Sequence, residues 1–121
     1  MEGDAMILTV IESPFGSRTD GTRATPEEVA RNVKYLHRCI LDSLSRGEAP
    51  FASHGLYPGP LNDALPEERK LGMEAGFAWG EVAEKRAFYA DYGFTPGMAE
   101  GSYRADVLGQ PAETRFIGEN P

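Results

Sequence analysis

Two carboxylates in this chain stand at the ends of apolar runs, where acid–base chemistry is within their reach. Glu12 follows Ile7-Leu8-Thr9-Val10-Ile11 and precedes Ser13-Pro14-Phe15, and Asp91 closes Arg86-Ala87-Phe88-Tyr89-Ala90. Two acids held near each other repel, so one pKa rises while the other acid stays ionised. That division suits cleavage of a glycosidic bond, where one acid protonates the leaving group and the other attacks or stabilises the cationic centre. A carboxylate after a strand also serves as a turn former or as the cap of the next helix. The residues by themselves leave both readings open.

Other side chains could hold a ligand. Thr95-Pro96-Gly97-Met98 reads as the start of a helix, with free N–H groups, a positive dipole end and a glycine that admits close approach. Ser53-His54 and Tyr57 follow a second apolar run, and His54 could bond a ligand or carry a proton near neutral pH. Arg18 and Arg23, in the loop after Phe15, could pair with a phosphate. The ordinary alternatives are an N-cap, a histidine bonded to a backbone carbonyl and solvated arginines. Ser13 lies outside any nucleophile-elbow sequence, and the loop lacks the spacing and lysine of a P-loop. With only His37, His54 and Cys39 to draw on, no metal set forms, and the residues call for no cofactor.

These side chains need elements to position them. Residues 7–12 read as a strand buried on both faces. Thr25-Pro26-Glu27-Glu28 carries a capping box with proline at the first helical position. Val29, Val33, Leu36 and Ile40 then form a stripe, and Gly47 ends the helix. A short strand is expected over 49–54, with Pro50 at its start or edge. A second helix opens near Pro66 with Leu71, Ala75, Ala78 and Val82 as its buried stripe. A third strand spans 86–91. A third helix runs from Thr95 to Gly109 with Met98, Ala105 and Leu108 inward. A last strand covers 112–117, and the tail 118–121 reads as frayed. The alternation predicts a doubly wound α/β sheet with strand order 2-1-3-4 and parallel strands. The crevice should then open between strands 1 and 3, with Glu12 and Asp91 facing each other across it.

The 121 residues suit one domain, and the net charge of −7 without a basic cluster argues against a nucleic-acid polymer or an anionic membrane as partner. A small nucleotide remains compatible. Cys39 is the only cysteine and sits in a helical setting, so it reads as a buried core thiol. No basic segment followed by an apolar stretch opens the chain, and no apolar run reaches membrane-spanning length. A cytoplasmic home is the expectation.

Taken in order, Ile11-Glu12-Ser13-Pro14-Phe15, Ala52-Ser53-His54 with Leu56-Tyr57, Glu68-Arg69 with Gly72, and Gly93-Phe94-Thr95-Pro96-Gly97-Met98 followed by Ala105 and Gly109-Gln110-Pro111 resemble the nucleoside 2-deoxyribosyltransferase-like superfamily, in particular its small bacterial and phage members. The resemblance implies a flavodoxin-like fold, assembly into homodimers or larger oligomers, and a nucleoside or nucleotide held partly by the first loop. It implies an N-glycosidase or deoxyribosyltransferase, in which a glutamate on the helix after strand 3 attacks the anomeric carbon of the sugar. In this chain Gly101 stands at that position. Glu100 is adjacent but points about 100° away around the helix. Glu12, Asp91 or Glu100 could substitute, and the alternative is a catalytically silent nucleotide-binding module. Ser13, Gly97 and the helix start at Thr95 are expected to hold the sugar or phosphate and His54 and Tyr57 to border the base, with Pro14, Phe15, Arg18, Ser53 and Met98 as further ligand contacts.

Overall fold

A computed structural model describes residues 5–62 and 64–119. Four parallel strands, β1 (Ile7–Glu12), β2 (Glu48–Phe51), β3 (Lys85–Tyr89) and β4 (Ala112–Arg115), form a sheet in the order β2-β1-β3-β4. Three helices join them: α1 (Pro26–Ser45), α2 (Pro66–Val82) and α3 (Pro96–Leu108). This is the flavodoxin-like, doubly wound order expected from the alternation. Right-handed crossovers put α1 on one face of the sheet and α2 with α3 on the other.

Local chemistry explains the helix ends. Thr25 accepts from the Glu28 N–H while the Glu28 carboxylate accepts from the Thr25 N–H, which completes the capping box of α1. Thr95 caps α3 through the Met98 N–H, and Gly109, in the left-handed region, ends it. Ser53 and His54, expected at the end of a strand, instead open a 3-10 turn, Ser53–Gly55. Pro50 removes a ladder donor, and β2 stops at Phe51. Likewise β3 stops at Tyr89 and β4 at Arg115, short of the expected ends.

The side-chain period of two divides the sheet. Ile11 pairs in register with Ala87, and both join Tyr35, Leu36, Cys39, Ala52 and Tyr89 in the core beneath α1. Cys39 is buried there as expected. The buried face of α1 is Asn32, Tyr35, Leu36, Cys39 and Ser43, rotated from the expected stripe, so that Val29, Val33 and Ile40 are only half-buried.

On the other face the expected stripe of α2 is overturned. Leu71 is 59% exposed and Val82 65%, and Ala78 is also exposed. The inward face is Gly72, Gly76 and Gly80. A Cβ on Gly76 would lie 2.9 Å from the Ser53 side chain, and one on Gly80 would lie 2.6 Å from an Arg86 guanidinium nitrogen. Close approach of the helix backbone selects glycine inward and turns the larger side chains out. On α3, Met98 and Ala105 are buried as expected, while Leu108 is exposed. The tail is not frayed where it is described: the N–H groups of Ile117, Gly118 and Glu119 all donate to Asp91. Asn120 and Pro121 lie outside the described residues.

Candidate active site

A cavity of about 250 Å³ opens at the carboxyl ends of β1 and β3, where a doubly wound sheet binds its ligands. Glu12, Ser13 and Phe15 enter it from the end of β1 and the loop beyond. Ser53 and His54 come from the 3-10 turn, and Thr95, Gly97, Met98 and Glu100 from the start of α3. Phe51, Met73 and Phe77 supply apolar walls. The crevice therefore gathers most of the residues expected in it from the sequence.

Glu12 is the centre of this site. Its carboxylate lies 2.8 Å from Arg86 on β3, with the guanidinium almost fully buried and the glutamate side chain 19% accessible. Arg86 is itself held by Gln110, whose amide donates to the carbonyls of Gly80 and Ala83 at the end of α2. Burial raises the Glu12 pKa from 4.5 to about 7, and the charge and hydrogen bond of Arg86 pull against that rise without cancelling it. The carboxyl group is thus poised to exchange a proton near neutral pH.

Gly101 and Glu12 are complementary. A Cβ built on Gly101 would sit 2.8 Å from the Glu12 Cδ and closer still to Oε2. The carboxylate delivered by β1 occupies the space that a side chain at position 101 would enter. A side chain at 101 would push the carboxylate off its place beside Arg86.

Ser13 Oγ and His54 Nε2 lie 2.7 Å apart inside the cavity, with the His54 ring edge-on to Phe15. Burial lowers the His54 pKa from 6.5 to about 4, so the imidazole is neutral at physiological pH and has one acceptor nitrogen. Thr95 Oγ1 is spent on the Met98 N–H as an N-cap. Glu100 pairs with Arg104, one turn on.

The expected confrontation of Glu12 with Asp91 does not occur. Asp91 accepts from the Tyr35 hydroxyl at 2.5 Å and from the N–H groups of Ile117, Gly118 and Glu119. Burial works to raise its pKa, but these donors outweigh burial and hold it below the usual carboxylate value. The reason is parity. Ala87 and Tyr89 face α1, and Asp91 follows them two by two; Glu12 shares a register with Phe88 and faces α3. Asp91 is an anchor for the segment after β4.

Three further expectations also fall outside the cavity. Pro14 and Arg18 line a separate depression beside α1, and Arg18 is paired with Glu28 at 2.9 Å. Tyr57 packs edge-on against Phe51 behind the cavity wall. Conversely, Arg86 and Gln110 were given no role from sequence. A cation inside an apolar strand beside a central one was the available signal for Arg86; nothing local marks Gln110.

Fold and site together define a doubly wound α/β protein with one buried, arginine-paired carboxylate in its ligand crevice. The chain belongs to the family described as Domain of unknown function (DUF7768), whose model matches residues 7–115. Among curated proteins no significant sequence match is found. A solved structure of the 2-deoxyribosyltransferase from the psychrotolerant bacterium Bacillus psychrosaccharolyticus is similar in fold, with a TM-score of 0.61 at 15% identity over 94% of this chain and 75% of that one. At that identity the likeness speaks for a distant fold relationship.

Proposed function

We propose that this protein binds a nucleoside or nucleoside monophosphate in the β1–β3 crevice and cleaves or transfers its N-glycosidic bond, with Glu12 as the catalytic carboxylate. The observation that carries this reading is the exchange of places between positions 12 and 101. The resemblance implies a glutamate on the helix after strand 3; here that position is glycine, and the Glu12 carboxylate fills the space beside it. The likeness in fold to a 2-deoxyribosyltransferase supports the substrate class.

In this scheme ionised Glu12 faces the anomeric carbon as the bond to the base breaks. The bonding electron pair leaves with the base, which takes up a proton from water. The carboxylate stabilises the cationic sugar or bonds to it covalently. Water or a second base then adds at the same carbon. Arg86 holds the carboxylate in place. Ser13, with its hydroxyl tied to His54, and Gly97 contact the sugar, and Phe15 and Phe51 flank the base. The reading includes assembly with further copies of the chain and a cytoplasmic home, in keeping with exposed apolar side chains on α2 and α3 and a free, buried Cys39.

A thermal-shift screen over nucleosides and their monophosphates, with chromatography of each hit for free base, tests the proposal. Wild-type protein should release base. Glu12→Gln should lower release by at least about 100-fold while the fold persists. Asp91→Asn should leave the rate per folded molecule unchanged. Ligand-dependent stabilisation without any released base would instead favour the silent binding module.

A further inference from the structure

The chain is acidic overall, with 12 Lys and Arg against 19 Asp and Glu, so cations without an acid partner are informative. Arg18, Arg38, Arg46, Lys85, Arg86, Arg104 and Arg115 all form ion pairs. Arg23, Arg31, Lys34, Arg69 and Lys70 make none among the described residues, and of these Arg23 and Arg69 line one cavity of about 440 Å³. No carboxylate lines that cavity among the described residues. Its wall includes Phe15, Gly16 and Ser17, and the same three residues line the Glu12 crevice, so the two spaces adjoin.

Arg23 is presented by a formed loop. Ser17 bridges Arg23 antiparallel, the Arg18 N–H donates to the Thr22 carbonyl at 2.8 Å, and the Ala24 N–H donates to that of Gly16 at 3.0 Å. Asp20 accepts from the Thr22 N–H and hydroxyl, which closes the turn. Arg69 reaches the cavity from the first turns of α2, with Lys70 beside it in the next depression.

We propose that this second cavity is a subsite for a diphosphate, and that it extends the range of the crevice beyond nucleosides and their monophosphates to nucleoside diphosphates, which bind best. The inference rests on the nucleoside reading of the adjoining crevice for its second half. Each guanidinium presents a planar fork of donors that matches one phosphate group, so two arginines match two. The space is larger than a single phosphate requires, and it lies beside the loop that leads out of the Glu12 crevice. The net charge of −7 opposes unselective attraction of anions, so the two arginines would have to supply the affinity.

Calorimetric titration with inorganic pyrophosphate and with orthophosphate tests the subsite directly. Pyrophosphate should bind more tightly than orthophosphate. Arg23→Ala and Arg69→Ala, both at exposed positions, should each weaken pyrophosphate by roughly tenfold or more. Lys34→Ala on α1 should leave it unchanged. Equal binding of the two anions, or arginine variants that bind as the wild type does, would overturn the subsite. The second half is tested with nucleosides and their mono- and diphosphates. Diphosphates should bind best and lose that advantage in Arg69→Ala. Nucleosides bound and cleaved with no gain from phosphates would overturn this inference while sparing the crevice reading. Pyrophosphate held by the two arginines, with no nucleoside bound or cleaved, would overturn the crevice reading and leave the anion site standing.

Discussion

Glu12 shows how one residue is tuned by what surrounds it. Desolvation favours its neutral form and Arg86 its charged form, and desolvation prevails. A carboxyl group whose pKa rises on folding stabilises the fold most fully below its ordinary value of 4.5; that contribution is lost as pH rises through about 7. Wild-type protein should therefore lose melting temperature between pH 5 and pH 8 relative to Glu12→Gln, measured by scanning calorimetry. Under the proposed function, base release by ionised Glu12 should rise over the same interval with a midpoint of about 7. His54 has the opposite sign. Its lowered pKa stabilises the fold above 6.5, and that stabilisation is lost as pH falls toward about 4. A Glu12→Gln protein should keep this acid-side loss, which separates the two titrations.

At the scale of elements, strands and helices are tied by polar clamps as much as by the apolar core. Glu48 at the start of β2 is buried and accepts two parallel hydrogen bonds from Arg115 on β4, at 2.9 and 2.6 Å. Ser43 of α1 and Lys85 of β3 complete its shell. Burial opposes the charge, but these partners outweigh burial and lower its pKa from 4.5 to about 2. Because the clamp joins β2, β3, β4 and α1, removing one side leaves a buried charge uncompensated. Glu48→Ala should cost about 3–5 kcal/mol in urea unfolding. In the wild type the clamp is at full strength above pH 4.5 and weakens as pH falls through about 2. How α2 packs could not be read from periodicity alone. Its Leu71, Ala75, Ala78 and Val82 make a regular stripe, yet glycines at four-residue spacing face inward, Gly72 against Tyr57 and Leu61, Gly76 against Ser53 and Gly80 against Arg86. Hydrophobic pattern predicts the buried face only when burial sets the distance between layers; here the bulk of Ser53 and Arg86 sets it.

For the molecule as a whole, that inversion leaves Leu71, Trp79 and Val82 of α2 exposed, and Tyr103 and Val107 of α3 are exposed on the same side of the sheet. If copies of the chain meet there, sedimentation should give a mass above that of one chain, and Val82→Glu with Val107→Glu should return it to one chain without loss of secondary structure by circular dichroism. A single-chain mass for the wild type would argue against the assembly.

The sequence by itself determined the order of elements, the parallel sheet in the order 2-1-3-4, both threonine caps and the crevice at the end of β1. Each follows from short-range chemistry or from the handedness of crossovers, and both are written locally. It also brought Glu12, Ser13, His54 and the start of α3 to one place. Tertiary structure alone decided which acid faces the crevice. Strand parity sent Asp91 to the α1 face and Glu12 to α3, and it does so only once β1 and β3 are in register. It also decided that Arg86 would hold Glu12, that Gln110 would hold Arg86, and that Gly101 would make room. Those are meetings between residues far apart in the chain, and a side chain's partners across a sheet depend on distances that no local pattern carries.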